Sequence, residues 1–132
     1  MLIKIIPDKE KAKSMLNLIK NREEFLLSVD MERFSTIAAE TYYEIIKELT
    51  ATLLLLDGFK TIGEYAHKDL IGYLSNYSEF SEEEKNLMND LRIRRNASAY
   101  EGKSVDKAYL KDRKHNLSLI IKKLKNLTKR KL

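Results

Sequence analysis

Apolar residues recur at three- and four-residue spacing along almost the whole chain, with polar residues filling the positions between them. After Pro7 and Asp8, which together have the form of a helix start, Ala12, Met15, Leu16 and Ile19 follow that spacing. The longest stripe is Phe34, Ile37, Ala38, Thr41, Ile45, Leu49, Leu53 and Leu56. It predicts a helix from about Met31 to Leu56, ended by Asp57-Gly58 and serving as the central spine of the fold.

Beyond that spine a shorter piece carries Tyr65, Leu70, Ile71 and Leu74, and Ser75 to Ser78 reads as a loop. Ser81 to Glu84 has the form of a capping box, in which a serine hydroxyl caps an amide while Glu84 reaches back. The helix it opens presents Leu87, Met88 and Leu91 and is broken by Gly102. A last helix, beginning near Ser104, presents Val105, Ala108, Leu117, Ile120, Ile121, Leu124 and Leu127. No long run alternates with period two, and no repeat of 20 to 50 residues is present. The expected fold is all-α, an antiparallel up-and-down bundle of four long helices plus one short helix, formed as a single domain over residues 1–132.

Composition narrows the chemistry. Without cysteine there is no disulfide, no thiolate nucleophile and no cysteine-bound metal, and with only two histidines, His67 and His115, a multi-histidine site within one chain is not expected. A di-iron bundle needs Glu-x-x-His on two helices, and Glu64-x-x-His67 occurs once. Phosphate-loop, zinc-protease, nucleophile-elbow and EF-hand patterns are all missing, so no cofactor is expected. The longest apolar run, Ala51 to Leu56, is far short of the ~20 residues that span a bilayer, and the opening MLIKIIP is too short for a signal-peptide core. The expectation is a cytoplasmic protein with no membrane partner. Net charge is +5, which permits a phosphate-bearing partner. Much of the excess lies at Lys122, Lys123, Lys125, Lys129, Arg130 and Lys131, which read as a solvated helix end or as an electrostatic surface towards nucleic acid.

The stretch RRNASAYEG, Arg94 to Gly102, gives the chain its most specific feature. Within a helical bundle, Leu91-Arg92-x-x-Arg95-Asn96-x-x-x-Tyr100-x-Gly102 resembles the signature helix of the HEPN superfamily. The long helix ending LLLLDGFK, and His67 ahead of DLIGYL, resemble the family's second helix and the short segment after it. The resemblance runs from about Met31 to the C-terminus. It implies a homodimer paired about a two-fold axis, an association with minimal nucleotidyltransferases in toxin–antitoxin pairs, and, in active members, metal-independent ribonuclease activity. Arg95 matches the motif arginine and Asn96 its polar neighbour, while Tyr100 occupies the histidine position. An imidazole ionises near pH 6.5 and shuttles protons, whereas a phenol ionises near 10 and is a poor general base.

Geometry adds a constraint. Five residues along an ideal helix rotate by about 500°, leaving Arg95 and Tyr100 about 140° apart, while Asn96 and Tyr100 share a face. The expected reading is a catalytically silent module that binds RNA, a nucleotide or a nucleotidyltransferase-type partner through Arg92, Arg94, Arg95, Asn96 and Tyr100 at a dimer interface. Two alternatives stand beside it. One is a ribonuclease using Arg95 with Asn96 or Tyr100, since positioned cations stabilise phosphoryl charge even without the histidine. The other is a helical assembly protein whose arginines pair only with acids, a role that an internal ion pair at Arg95 would favour. His67 and His115 are expected to be half-buried structural residues.

Overall fold

The computed structural model describes residues 1–132 and contains five helices and one small sheet. Helix α1 spans Lys9–Ser28, α2 Ser35–Asp57, α3 Ala66–Tyr73, α4 Glu82–Glu101 and α5 Lys107–Arg130. Helix α2 is the hub, packing against each of the other four. A core of 23 buried residues draws on all five helices. No helix is long and apolar enough to cross a membrane.

Local chemistry sets most of the helix ends. Asp8 caps α1 by accepting the Lys11 amide at 2.9 Å. Gly58 ends α2 in the left-handed region at φ 88°, and a Cβ added there would lie 3.3 Å from the Ile5 carbonyl oxygen. The capping box at α4 is complete: the Ser81 hydroxyl accepts the Glu84 amide at 3.1 Å and Glu84 accepts the Ser81 amide at 3.0 Å. Gly102, at φ 68°, ends α4.

Four expectations are corrected. First, the chain is not wholly helical: β1, Leu2–Lys4, pairs antiparallel with β2, Phe59–Thr61, in the register Leu2↔Thr61, Ile3↔Lys60, Lys4↔Phe59. Three-residue strands are too short to display a period, and the pairing follows from the reversal at Gly58, whose carbonyl accepts the Ile5 amide at 2.9 Å. Second, α2 starts at Ser35 rather than Met31, because the Asp30 carboxylate accepts the Glu32 and Arg33 amides and holds those residues in a turn. Third, Phe34 and Ile37 are exposed, whereas Tyr42, Tyr43 and Ile46 join Ala38, Ile45, Leu49 and Leu53 in the core. A hub helix with neighbours on several sides is buried nearly all round, so a single stripe understates it. Fourth, α5 starts at Lys107 rather than near Ser104, and Ala108 is exposed while Tyr109 and Leu110 are buried.

Both ends of α5 are fastened. The buried Val105, just before α5, donates its amide to the Thr36 hydroxyl at 2.9 Å, and its carbonyl accepts the Ser35 hydroxyl at 2.7 Å. At the far end Lys131 pairs with Asp57 at 2.6 Å. Asp57 also accepts the hydroxyls of Tyr73, at 2.7 Å, and Tyr77. Burial raises the Asp57 pKa, but Lys131 and the two phenols outweigh it and hold the carboxyl below its ordinary range. Burial and the Asp57 charge push both phenols well up.

Candidate functional site

Only Met88 and Leu91 of the twenty α4 residues are buried, so this helix sits on the core through a narrow contact and leaves most of its polar surface available. Consecutive helical residues diverge by ~100°, so Arg94 and Arg95 meet different neighbours. Arg94 turns towards α5, where its Nε pairs with Asp90 at 3.0 Å and its guanidinium lies 4.0 Å from the centre of the Tyr109 ring. Arg113 covers the same ring at 4.1 Å, and the Tyr109 hydroxyl donates to Asp90 at 2.6 Å. Burial raises the Asp90 carboxyl, but Tyr109, Arg94 and Arg113 together bring it below its ordinary range.

Arg95 turns towards α2. Its Nη2 pairs with Glu44 at 3.3 Å, and its guanidinium lies 5.9 Å from the centre of the Tyr43 ring. Nη1 reaches Asn96 Oδ1 at 3.5 Å, the outer limit of a hydrogen bond. One turn on, the Ser98 hydroxyl donates to Glu40 at 3.0 Å. The Glu44 carboxylate is shared, since Lys47 holds it more closely at 2.8 Å. Arg92 is half-buried and makes only a 3.4 Å contact, from its Nε to Asn89.

The side chain missed as a site residue is His67. It enters from α3, and its ring stands 6.3 Å from that of Tyr43 at an interplanar angle of 54°. Burial lowers its pKa, and so do the positive fields of Lys47, Arg95 and Arg92, while Glu44 opposes them. The imidazole is therefore held neutral at neutral pH. Burial pushes the Tyr43 phenol up to about 12 against the pull of Arg92 and Arg95, with Glu44 and Tyr100 adding to the rise. Glu44 is raised by burial, yet Lys47, Arg95 and Arg22 more than offset this and keep it ionised. At this junction of α2, α3 and α4, Lys47 and Arg95 share the Glu44 carboxylate, Lys47 also approaches Glu48 at 3.8 Å, and the Tyr43 ring lies between Arg95 and His67.

Of the five residues named from sequence, Arg95 is at this junction with Asn96 against it, and Arg92 is one helical turn before Arg95 on α4. Arg94 is not at the junction, because Asp90 and Tyr109 engage it on the other flank. Tyr100 is 78% exposed. Helix α4 continues unbroken to Glu101, so nothing unwinds to turn Tyr100 towards Arg95. The sequence marks His67 as a half-buried histidine ahead of DLIGYL, but the α2–α3 packing that brings its ring to Tyr43 is not written in local spacing. The chain matches no protein-family model, no curated protein and no solved structure.

Proposed function

We propose that this chain is a HEPN-like module that holds an RNA phosphate in the cleft between α2, α3 and α4 and leaves the RNA uncut. The observation that supports this reading is that Lys47 and Arg95 share one carboxylate, Glu44, at 2.8 and 3.3 Å, while Arg92 has no carboxylate partner. A phosphate is a bidentate acceptor that suits arginine and competes well with a carboxylate already divided between two cations. Silence follows from the motif itself, since Tyr100 stands in the histidine position and faces solvent.

The same proposal covers the arrangement of the molecule. The four long helices run as an antiparallel up-and-down bundle with α3 as the short fifth. A second copy meets α4 about a two-fold axis, bringing two Arg95 side chains to one cleft with Asn96 and Tyr100 at its rim. A minimal nucleotidyltransferase is the protein partner this family likeness implies, and a free nucleotide is the smaller ligand the same cations fit. The setting is cytoplasmic.

The test is incubation with end-labelled RNA in chelator, beside Arg95→Ala. Intact RNA, bound at least tenfold more weakly by the variant, is the expected outcome. Cleavage that disappears in Arg95→Ala overturns the silent reading.

One observation favours a second reading, a metal-independent ribonuclease: the His67 ring and the Arg95 guanidinium lie 6.3 and 5.9 Å from the same Tyr43 ring, and burial holds the imidazole pKa down. His67 would take the proton from a ribose 2′-hydroxyl as that oxygen attacks phosphorus, with Arg95 stabilising the added negative charge. The bond from phosphorus to the 5′ oxygen then breaks, and that oxygen takes a proton from solvent. Loss of cleavage in His67→Ala, with binding retained, identifies this case. The Arg95–Glu44 pair is also what a purely structural assembly role expects. Failure to bind either RNA or nucleotide brings that role forward.

A further inference from the structure

On α5 the positions Lys107, Lys111, Lys114, Lys122, Lys125 and Lys129 follow four- and three-residue steps, with Ser118 filling the one gap. At 100° per residue all seven fall within an arc of about 80°, and no acidic residue shares it. The buried face of α5, formed by Leu117, Ile120, Ile121, Leu124 and Leu127, occupies a separate arc. The stripe therefore runs beside the core contact for about 33 Å, with a cation at nearly every turn.

Five of these six lysines are also free. The carboxylate pairs of α5 are made by Lys123, Lys125, Arg130 and Lys131. Lys107, Lys111, Lys114, Lys122 and Lys129 are exposed and pair with none. They border two adjoining grooves, of about 830 and 470 Å³, that share Lys114, Met31 and Glu32. The larger has an apolar floor that includes Leu26, Tyr42 and Ile121. Its acidic lip is partly occupied: Glu23 pairs with Lys125, and Asp30 accepts amides of its own turn.

We propose that the α5 stripe is a second nucleic-acid surface, which tracks the phosphodiester backbone of an RNA strand without reading its sequence. A line of cations suits a ligand that carries a charge at every step of its backbone, and the apolar floor offers a dry surface for riboses or bases. A bilayer fits less well, since the apolar face of α5 is buried in the core and has nothing to insert. An acidic protein carries no charge at every step of its backbone. The surface stands apart from the α4 cleft and holds whether or not that cleft takes a phosphate.

The experiment is fluorescence anisotropy of a labelled, mixed-sequence, single-stranded RNA 20-mer over a range of salt. The proteins are the intact chain, a quadruple variant (Lys111→Gln, Lys114→Gln, Lys122→Gln, Lys129→Gln) and a charge-matched control on α1 (Lys9→Gln, Lys11→Gln, Lys13→Gln, Lys20→Gln). Circular dichroism establishes that each is folded. With five contacts on a single strand, affinity falls about 100-fold between 50 and 200 mM salt, against about threefold with one contact left. The intact chain and the α1 control are expected to follow the first curve, and the quadruple variant the second. Equal losses in the quadruple variant and the α1 control would reduce the stripe to net charge and overturn the proposal. So would tighter binding of anionic vesicles or polyglutamate than of RNA at matched ionic strength. A folded quadruple variant that binds RNA undiminished overturns it directly.

Discussion

Arg94 and Arg95 are adjacent in the chain and have opposite employment. Arg94 is closed: one carboxylate and one aromatic face take it, and Asp90 and Tyr109 are themselves joined by a hydrogen bond. Arg95 is open: its 3.3 Å partner is held more closely by Lys47, and its other contacts, to Asn96 at 3.5 Å and the Tyr43 ring at 5.9 Å, are long. The first arginine fastens α4 to α5, whereas the second shares its acid with another cation. An arginine's availability is set less by its exposure than by how many cations compete for the acid beside it.

The largest effect should come from removing what both arginines share. Leu91 is wholly buried beneath α4, and Leu91→Ala should cost about 2–5 kcal/mol in denaturant unfolding, disturbing both environments together. A cost under 1 kcal/mol would mean that α4 is seated by its polar contacts.

Next comes the exchange between the arginines. Arg95→Ala should weaken RNA binding at least tenfold, about 1.4 kcal/mol, with little change in melting temperature. Arg94→Ala should lose about 1 kcal/mol of stability, from a partly exposed pair and its ring contact, and leave RNA binding unchanged. If both variants shift the same observable, the contrast between them collapses.

Glu44→Gln removes the competing anion and should raise RNA affinity about threefold at low salt. A fall in affinity would instead make Glu44 the residue that positions Arg95.

The smallest effect is on pH dependence. The folded pKa of His67 lies below its unfolded value, so the folded state binds fewer protons there. Its contribution is fully present above about pH 6.5 and is lost as pH falls from there through the folded value. Because the ring is partly exposed, the loss should be under about 1 kcal/mol, seen as a flatter stability curve in His67→Gln between pH 7 and 5.5. Glu44, Asp57, Glu84 and Asp90, all depressed, add their own loss only at lower pH, as it falls below the ordinary carboxylate values.

What was legible in the sequence was local. Asp8, Gly58, the Ser81–Glu84 box and Gly102 mark their helix ends because a cap is made by residues within one turn. What was illegible depended on distant partners. The β1–β2 pairing joins residues nearly sixty positions apart, and the exposure of Ile37 depends on which neighbours surround α2. The site divides in the same way. The motif named Arg92, Arg95 and Asn96, but the angular reasoning that separated Arg95 from Tyr100 had no means of placing His67, which arrives from another helix. The α5 lysines were visible one by one; reading only the charge of the last segment hid the row that starts at Lys107.

The two fastenings of α5 bear on who adapts to whom. With Val105 tied to the start of α2 and Lys131 tied to its end, α5 is held in register with the hub. Its lysines then behave as marks on a ruler, ~5–6 Å apart on either side of one wider gap at Ser118. A flexible strand laid along it must take the ruler's spacing and give up its own freedom. Selectivity at this surface would then rest on the mechanical stiffness of the ligand rather than on its sequence.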